Sequence, residues 1–340
     1  MSPYRVRDYK IFLNNRYIQN LVNRHIKRIF PGFIKCTQVT SKHYKVLAAT
    51  SFLVRYEITL ETKTGYQHHL EVRGNRLNRR SYKILQRLWQ THKFKKYYYP
   101  RPIYYFPKKQ FVLYENFSGQ VYRSWPDKNF NFYNKTLPLI ALRLADLHTT
   151  KIASDKIITL NEKIHWIDDK LRKIKRHNFA YYEVSQQAAE KIKKFLKLHY
   201  AKSHLSLCHN DFQASNIIYN PHGPEIGIID FELLGFFFPA ADLANFNIQL
   251  LTVIKDSLPP KKIIHLQKKF IRSYKNNVGR QRTRQLENAL PYFEAKSILD
   301  ILALYTVQIL GETEKTHVRY LKKAMAQLYG RLKNLNLTLT

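Results

Sequence analysis

Between Leu207 and Asn245 the chain reads LCHNDFQASNIIYNPHGPEIGIIDFELLGFFFPAADLAN, and no other stretch limits the fold as strongly. Two β-branched runs, Ile217-Ile218-Tyr219 and Ile226-Gly227-Ile228-Ile229, flank Asn220-Pro221-His222-Gly223-Pro224. Asn, Pro and Gly in that order mark a turn, so the pair predicts a β-hairpin. Asn216 stands at the start of one strand and Asp230 at the end of the other. Across an antiparallel pair these positions lie side by side, within reach of one metal cluster. Asp211, in His209-Asn210-Asp211, precedes Asn216 by five residues.

An aspartate, an amide and a second aspartate in this order are the parts needed to move the terminal phosphoryl group of a nucleotide. Positioning and charge neutralisation supply most of that catalysis. Asp211 is the candidate base, or the group that orients the attacking hydroxyl. Asn216 offers a neutral oxygen and Asp230 a charged one, which suits Mg²⁺, a hard cation that prefers oxygen. Three polar residues can fall near two core strands by chance. The ordered set around a hairpin is much harder to obtain that way.

His209-Asn210-Asp211-Phe212-Gln213-Ala214-Ser215-Asn216 and Ile229-Asp230-Phe231-Glu232 resemble the aminoglycoside phosphotransferase and choline/ethanolamine kinase superfamily. This is the small-molecule branch of the protein-kinase-like fold. The resemblance implies an α+β, bilobal architecture, with a small antiparallel-sheet lobe and a larger, mainly helical lobe. It implies ATP and Mg²⁺ as cofactors and a small-molecule hydroxyl as acceptor. Gln213 and Glu232 point to the choline kinase side, and so to choline, ethanolamine or another amino alcohol. An aminoglycoside, a sugar or a nucleoside is the alternative acceptor. A catalytically weak scaffold bound to an anionic partner is the alternative of a different class. In Pro239-Ala240-Ala241-Asp242-Leu243-Ala244-Asn245, Asp242 stands where an aspartate braces the catalytic loop. His209 is by the same resemblance a brace rather than a proton carrier.

Upstream, Phe111 to Gly119 (FVLYENFSG) looks like the family's hinge, where backbone groups at Glu115 and Phe117 meet the adenine. Arg73 stands where the family places a cation facing the phosphates. Thr50 and Ser51 fall in the turn that covers them. Two departures stand out. Ser81 occupies the helix position where a glutamate usually pairs with the phosphate-binding cation, so that cation needs another acid. The covering turn, Leu47-Ala48-Ala49-Thr50-Ser51-Phe52, lacks glycine and its positive-φ freedom. Further along, Gln249 takes the place of an acid seven residues after the bracing Asp242.

The resemblance places a nucleotide-gripping lobe at residues 1–117 and a catalytic and acceptor-binding helical lobe at 118–340. Apolar spacing predicts helices over Arg16–Phe30, Asn78–Thr91 and Leu137–His148. It predicts others from Pro260 through Tyr274, over Arg282–Leu310 with a break or restart at Pro291, and over Thr313–Lys333. Tyr292, Phe293 and Asp300 are candidates for the acceptor wall, with helix core the competing reading for the aromatics.

Lys and Arg total 58 against 24 acids, for a formal charge of +34. Such self-repulsion has a source: an anionic partner such as membrane or nucleic acid, a phosphorylated substrate, or a codon bias toward Lys, Asn, Ile, Tyr and Phe. The basic amphipathic segment Arg16–Phe30 either lies on a membrane or docks its apolar stripe on its own domain. Lys93 to Lys109 interleaves cations with aromatics as a single-strand nucleic-acid surface does, but three prolines break it. The basic residues of Lys163–Lys202 fit a solvated helical face. No run reaches the length of a membrane-spanning helix and the N-terminus has no apolar signal core, so a cytoplasmic protein is expected. Cys36 and Cys208 lack metal-ligand spacing and read as packing residues.

Overall fold

Val54, Tyr56, Ile58 and Leu60 alternate with polar residues, and all four are buried. A strand sends successive side chains to opposite faces, so this period-two pattern gives a sheet one apolar face. In this computed structural model the described residues are 6–48, 51–91, 99–126, 129–152, 157–223, 226–254, 257–335 and 337.

In chain order the elements begin with α1 (Asn15–Arg24), α2 (Ile26–Ile29), β1 (Phe33–Ala48), β2 (Ser51–Thr62), β3 (Gln67–Arg76), α3 (Arg79–Thr91), β4 (Pro102–Phe106), β5 (Phe111–Glu115) and β6 (Gln120–Val121). Next come α4 (Phe130–Thr149), α5 (Leu160–His177), α6 (Tyr182–His199), β7 (Ser206–Cys208), β8 (Ile217–Tyr219), β9 (Ile226–Ile228) and β10 (Gly235–Phe237). Four helices close the chain: α7 (Pro239–Ile254), α8 (Pro260–Val278), α9 (Arg280–Gly311) and α10 (Lys315–Lys333).

The chain forms two compact units, Met1–Gln120 with Ile218–Leu233, and Val121–Ile217 with Leu234–Thr340. The single cut expected at 117/118 is therefore replaced by three crossings. The segment 218–233, assigned from sequence to the larger lobe, belongs instead with the first unit because β8 and β9 pack there. Gly119 and Gly227 show how closely. A Cβ on Gly119 would lie 2.6 Å from the Tyr219 carbonyl oxygen, and one on Gly227 would lie 2.3 Å from the Phe117 ring.

The first unit is built on a five-stranded antiparallel sheet of order β1-β2-β3-β5-β4. Its apolar face packs against Ile18 and Val22 of α1 and Ile26 and Ile29 of α2. The basic leading helix thus spends its apolar stripe on its own sheet. It is also shorter than expected. The chain breaks at His25, whose ring stacks on Tyr104 with centroids 5.2 Å apart. Gln19 and Asn23 tie the helix to the edge strand by donating to the Cys36 carbonyl at 3.1 and 3.0 Å. Tyr105 and Phe106 are core residues of β4, so the aromatics of that basic stretch serve packing.

In the second unit, α9 runs unbroken through Pro291, where a break or restart was expected. A proline inside a helix costs about 3 kcal/mol. Burial of Leu286, Ala289, Tyr292 and Phe293 around it offsets that cost. Tyr292 stacks on Phe195 with centroids 4.2 Å apart, which makes both α9 aromatics core. Helix α5 opens with a capping box in which Thr159 and Glu162 satisfy each other's backbone N–H groups.

Candidate active site

In the second unit, β7 pairs antiparallel with β10, and the chain leaves β7 at Cys208 into the loop His209–Gln213. Asp242, in the first turn of α7, holds this loop from behind. Its carboxylate accepts the backbone N–H of His209 at 2.7 Å and that of Asn210 at 2.7 Å. Its Oδ2 also meets His148 Nε2 at 3.0 Å, and His148 Nδ1 meets the Tyr274 hydroxyl at 2.7 Å. Burial pushes the Asp242 carboxyl up, but the hydrogen bond and charge of His148, then His209, outweigh it and hold the carboxyl below its ordinary range. His209 is fully buried behind the loop.

Asn210 takes a left-handed backbone with φ 65°. Asn tolerates this best among non-glycine residues, and its Nδ2 pins the turn by donating to the Cys208 and Gly235 carbonyls at 3.0 and 3.2 Å. The turn presents Asp211 to its neighbours. Asn216 Nδ2 donates to the Asp211 backbone oxygen at 2.8 Å and to Oδ2 at 3.0 Å. Gln213 Nε2 donates to both carboxylate oxygens, at 3.1 and 3.0 Å. Burial raises the Asp211 carboxyl and these donors oppose it; with Asp242 raising it further and Lys296 lowering it, the result is about 6. A carboxylate that titrates there can accept a proton at neutral pH. Asn216 commits its amide nitrogen to Asp211, so its carbonyl oxygen is the atom left to meet a cation.

In the first unit, Arg73 on β3 and Asp230 just beyond β9 both act electrostatically on the buried phenol of Tyr114, where burial is the largest influence and holds the phenol above its ordinary range. Asp230 also has a left-handed backbone, φ 67°. Of the three described non-glycine residues with positive φ, Asn210 and Asp230 lie at candidate motifs and Gln110 does not; strain of this kind collects at working sites.

Arg73 has the acid that its helix denies it. Ser81 is fully buried and donates to the Glu232 carbonyl at 3.1 Å, so it ties α3 in place and carries no charge. Instead, Arg73 Nε donates to Asn116 Oδ1 at 2.5 Å, and Asn116 Nδ2 donates to Glu71 Oε2 at 2.6 Å. Glu71 is also paired with Arg55 Nη2 at 2.6 Å. The Arg55 hydrogen bond does most to hold the Glu71 carboxyl below its ordinary range. Residues 71 and 73 share one face of β3, and Arg55 stands opposite Arg73 in register. Sequence reasoning missed Glu71 and Asn116; the alternation His69, Glu71, Arg73 was the signal available.

The hinge residues divide by atom. Glu115 donates its N–H to the Arg101 carbonyl at 2.9 Å, and its carboxylate pairs with the Arg101 guanidinium. The Phe117 N–H has no hydrogen-bond acceptor among the described residues. Its ring lies on Gly227. Thr50 falls outside the described residues. Ser51 begins β2 by its backbone.

Residues 132–311 match the family model for choline/ethanolamine kinase. The chain belongs to the choline/ethanolamine kinase family. A curated relative, probable ethanolamine kinase B of Dictyostelium discoideum, is 31% identical over 90 residues, which are 26% of this chain and 20% of the relative. The matched stretch is thus about a fifth of that relative's length. Among solved structures, a choline/ethanolamine kinase family protein from Mesorhizobium loti has a TM-score of 0.56 at 16% identity, covering 93% of this chain and 94% of its own. A spectinomycin phosphotransferase solved with ADP and spectinomycin has a TM-score of 0.54 at 12% identity, covering 96% and 99%. At these identities the structures establish the fold, which is the bilobal kinase-like one.

As a choline/ethanolamine kinase family member, the chain departs from expectation mainly in its partners for charge. Sequence reasoning named Asp242 but missed His148, which ends the apolar run of α4 and whose bond to Asp242 spans 94 residues. Among the described residues, no helix is long and apolar enough to cross a membrane. His148, Cys208 and Asp242 present ligand-type atoms within 4.8 Å of one another, but two of them are engaged as loop braces and the Cys208 thiol donates to the Phe237 carbonyl at 3.3 Å.

Proposed function

We propose that the chain transfers the terminal phosphoryl group of ATP to a hydroxyl of a small molecule. The observation that carries this reading is the Asp211 carboxylate, raised to about 6 and held by Asn216 and Gln213 on a loop braced by Asp242. Asp211 orients the acceptor hydroxyl and takes its proton as the oxygen attacks phosphorus. The bond from that phosphorus to the bridging oxygen breaks, and ADP leaves with the electron pair. Mg²⁺, when bound, screens the phosphate oxygens and the developing charge on the leaving group. Its fit is supported by the donor set: the Asn216 carbonyl oxygen and the Asp230 carboxylate are hard oxygen ligands. The Arg73 guanidinium, steered by Asn116 and Glu71, is suited to the phosphates. The Phe117 N–H, which has no acceptor among the described residues, is suited to an adenine nitrogen.

Kinship and Gln213 put choline, ethanolamine and other amino alcohols first among acceptors to test. Against them, α7 carries Gln249, bonded through Nε2 to Asn245 at 3.2 Å, where a carboxylate would be needed to hold an amine. Aminoglycosides, sugars and nucleosides remain the alternatives within the same chemistry.

The test is an ATP-consumption screen over these acceptor classes with Asp211→Asn as the blank, beside a thermal-shift titration with Mg·ATP. Turnover of at least one class, abolished in the variant, is expected. A nucleotide complex raises Tm by mass action, and Asp230→Ala should reduce that rise. No turnover and no shift would leave a scaffold.

A further inference from the structure

The brace behind the Asp211 loop is held on its far side by two residues that line a cavity. Tyr274 on α8 meets His148 Nδ1 at 2.7 Å, and Arg282 on α9 donates from Nη1 to the His148 carbonyl at 2.8 Å. His148 in turn meets Asp242, whose carboxylate accepts the His209 and Asn210 amides. A single histidine thus connects both cavity residues to the loop that presents Asp211.

The cavity measures about 150 Å³ and lies wholly within the second unit. A space of that size accepts a benzene-sized body. Its inner wall is apolar: Phe195 of α6, Phe238 before α7, Tyr274, Leu286 and Ala289 are all buried. Its mouth is polar: His204 and Asn288 are exposed, and Arg282 and Gln285 are partly so. No carboxylate lines it. Asp242 stands behind His148, engaged with it and with the loop amides, and the exposed Glu287 pairs with Lys275 at 2.6 Å. Arg282 makes no ion pair among the described residues, and its bond to His148 leaves Nη2 and Nε for another acceptor. The side chains of His204, Gln285 and Asn288 make no hydrogen bond among the described residues. An apolar wall with a guanidinium and amide donors at its mouth suits a ring that carries a carboxylate, which a guanidinium can meet with two N–H groups at once.

We propose that this cavity is an effector site for a small aromatic carboxylate, and that filling it steadies the catalytic loop through His148. The ring seats against Phe195 and Phe238, and the carboxylate accepts from the Arg282 nitrogens that His148 does not use. With Arg282 and Tyr274 both held, His148 keeps its place on Asp242, and Asp242 keeps its grip on the two loop amides. The effector is distinct from the acceptor and leaves the choice of acceptor unchanged. Its effect on turnover rests on the reading of Asp211 as the hydroxyl-orienting group.

The experiment uses the full chain and three probes: benzoate, its uncharged counterpart benzamide, and acetate, which lacks the ring. Binding is measured calorimetrically. Hydrogen exchange of the His209 and Asn210 amides is followed by NMR, and turnover is measured with Mg·ATP and an acceptor found in the screen. Benzoate should bind at least about tenfold more tightly than benzamide or acetate. At saturation it should slow exchange of the two amides about fivefold and raise kcat. Arg282→Gln, which keeps an N–H donor for the His148 carbonyl, should weaken benzoate binding at least about tenfold. Asn288→Trp, at the exposed mouth, should bar benzoate while exchange and turnover without it stay as in wild type. Asp211→Asn should keep benzoate binding and lose turnover. Binding that fails to favour benzoate, or that survives either cavity substitution, overturns the site. Benzoate binding that leaves both exchange and kcat unchanged overturns its link to the loop. Arg282-dependent slowing of exchange with no turnover of any acceptor keeps the site and overturns the phosphotransfer reading instead.

Discussion

Asn216 grips Asp211 twice, donating one side-chain amide group to the backbone oxygen at 2.8 Å and to the carboxylate at 3.0 Å. The amide thereby fixes the direction of the carboxylate and turns its own oxygen away for other use. Asn216→Ala should lower kcat by about 100-fold, the scale of losing one well-placed polar group from a reacting centre. Asn216→Asp should be as harmful for another reason. It replaces a donor with a like charge and pushes the Asp211 carboxyl higher, so the acid limb of its residual activity moves to higher pH. Steady-state kinetics across pH for both variants checks this.

The proton accounting of Asp211 predicts two opposite effects. Activity needs the ionised carboxylate, so kcat/KM should rise with pH through about 6 and level off above it. Stability runs the other way. The folded-state value is raised, so the unfolded chain releases this proton first and the fold loses stability between about 3.8 and about 6. Asp211→Asn removes that loss. At neutral pH it should be inactive yet more stable by about 1–2 kcal/mol, a figure discounted for the partial exposure of the group. Denaturant melts of the two proteins at pH 4 and pH 7 test this; equal stability gaps at both would refute it.

Asp242 is buried and meets three partners, the His209 and Asn210 amides and His148. Asp242→Asn keeps the shape but offers one acceptor oxygen where two were used. The loss should be about 3 kcal/mol, the scale for breaking a buried charged network. Because the depressed carboxyl contributes stability above its unfolded value, wild type should lose that contribution as pH falls into the acid range and the variant should not. Urea unfolding at pH 7 and pH 4 separates the two.

Glu71→Gln should act on the nucleotide and spare the fold. The Arg55–Glu71 pair is more than a third exposed on both sides, so its removal should cost under about 1 kcal/mol. Arg73 would then face Arg55 across the strands without the acid that steers it through Asn116. The KM for ATP should rise about three- to tenfold with the acceptor KM unchanged. Initial-rate measurements with each substrate varied in turn distinguish this from a general loss.

Local patterns were readable from the chain because their causes are local. The turn Asn220 to Pro224 and the apolar runs beside it predict the two short strands, and β8 and β9 are found there. Helix α3 begins and ends within a residue of its predicted span, since caps and apolar spacing act over a single turn. The apolar spacing of Arg16–Phe30 continues as for one helix, but the structure breaks it at His25, whose ring stacks on Tyr104, a residue of another element. Pro291 was read as a break because its local cost is visible, while the core that absorbs this cost is not. Spacing groups Lys163 with the solvated lysines, because it cannot tell which turn of α5 lies against α9; the structure buries it.

What the sequence determined by itself is the chemistry of the loop. Asp211, Gln213 and Asn216 sit within a six-residue stretch, and short-range backbone geometry suffices to bring their side chains together. What only the tertiary structure decided is how each charge is answered: Asp242 by His148, Arg73 by Glu71 through Asn116, and the lysines of α5 by the indole of Trp166 and a lysine–aspartate pair on α9. Electrostatic partners act through space over a few ångströms, whatever their separation along the chain, so they become legible only when packing has set which elements lie side by side.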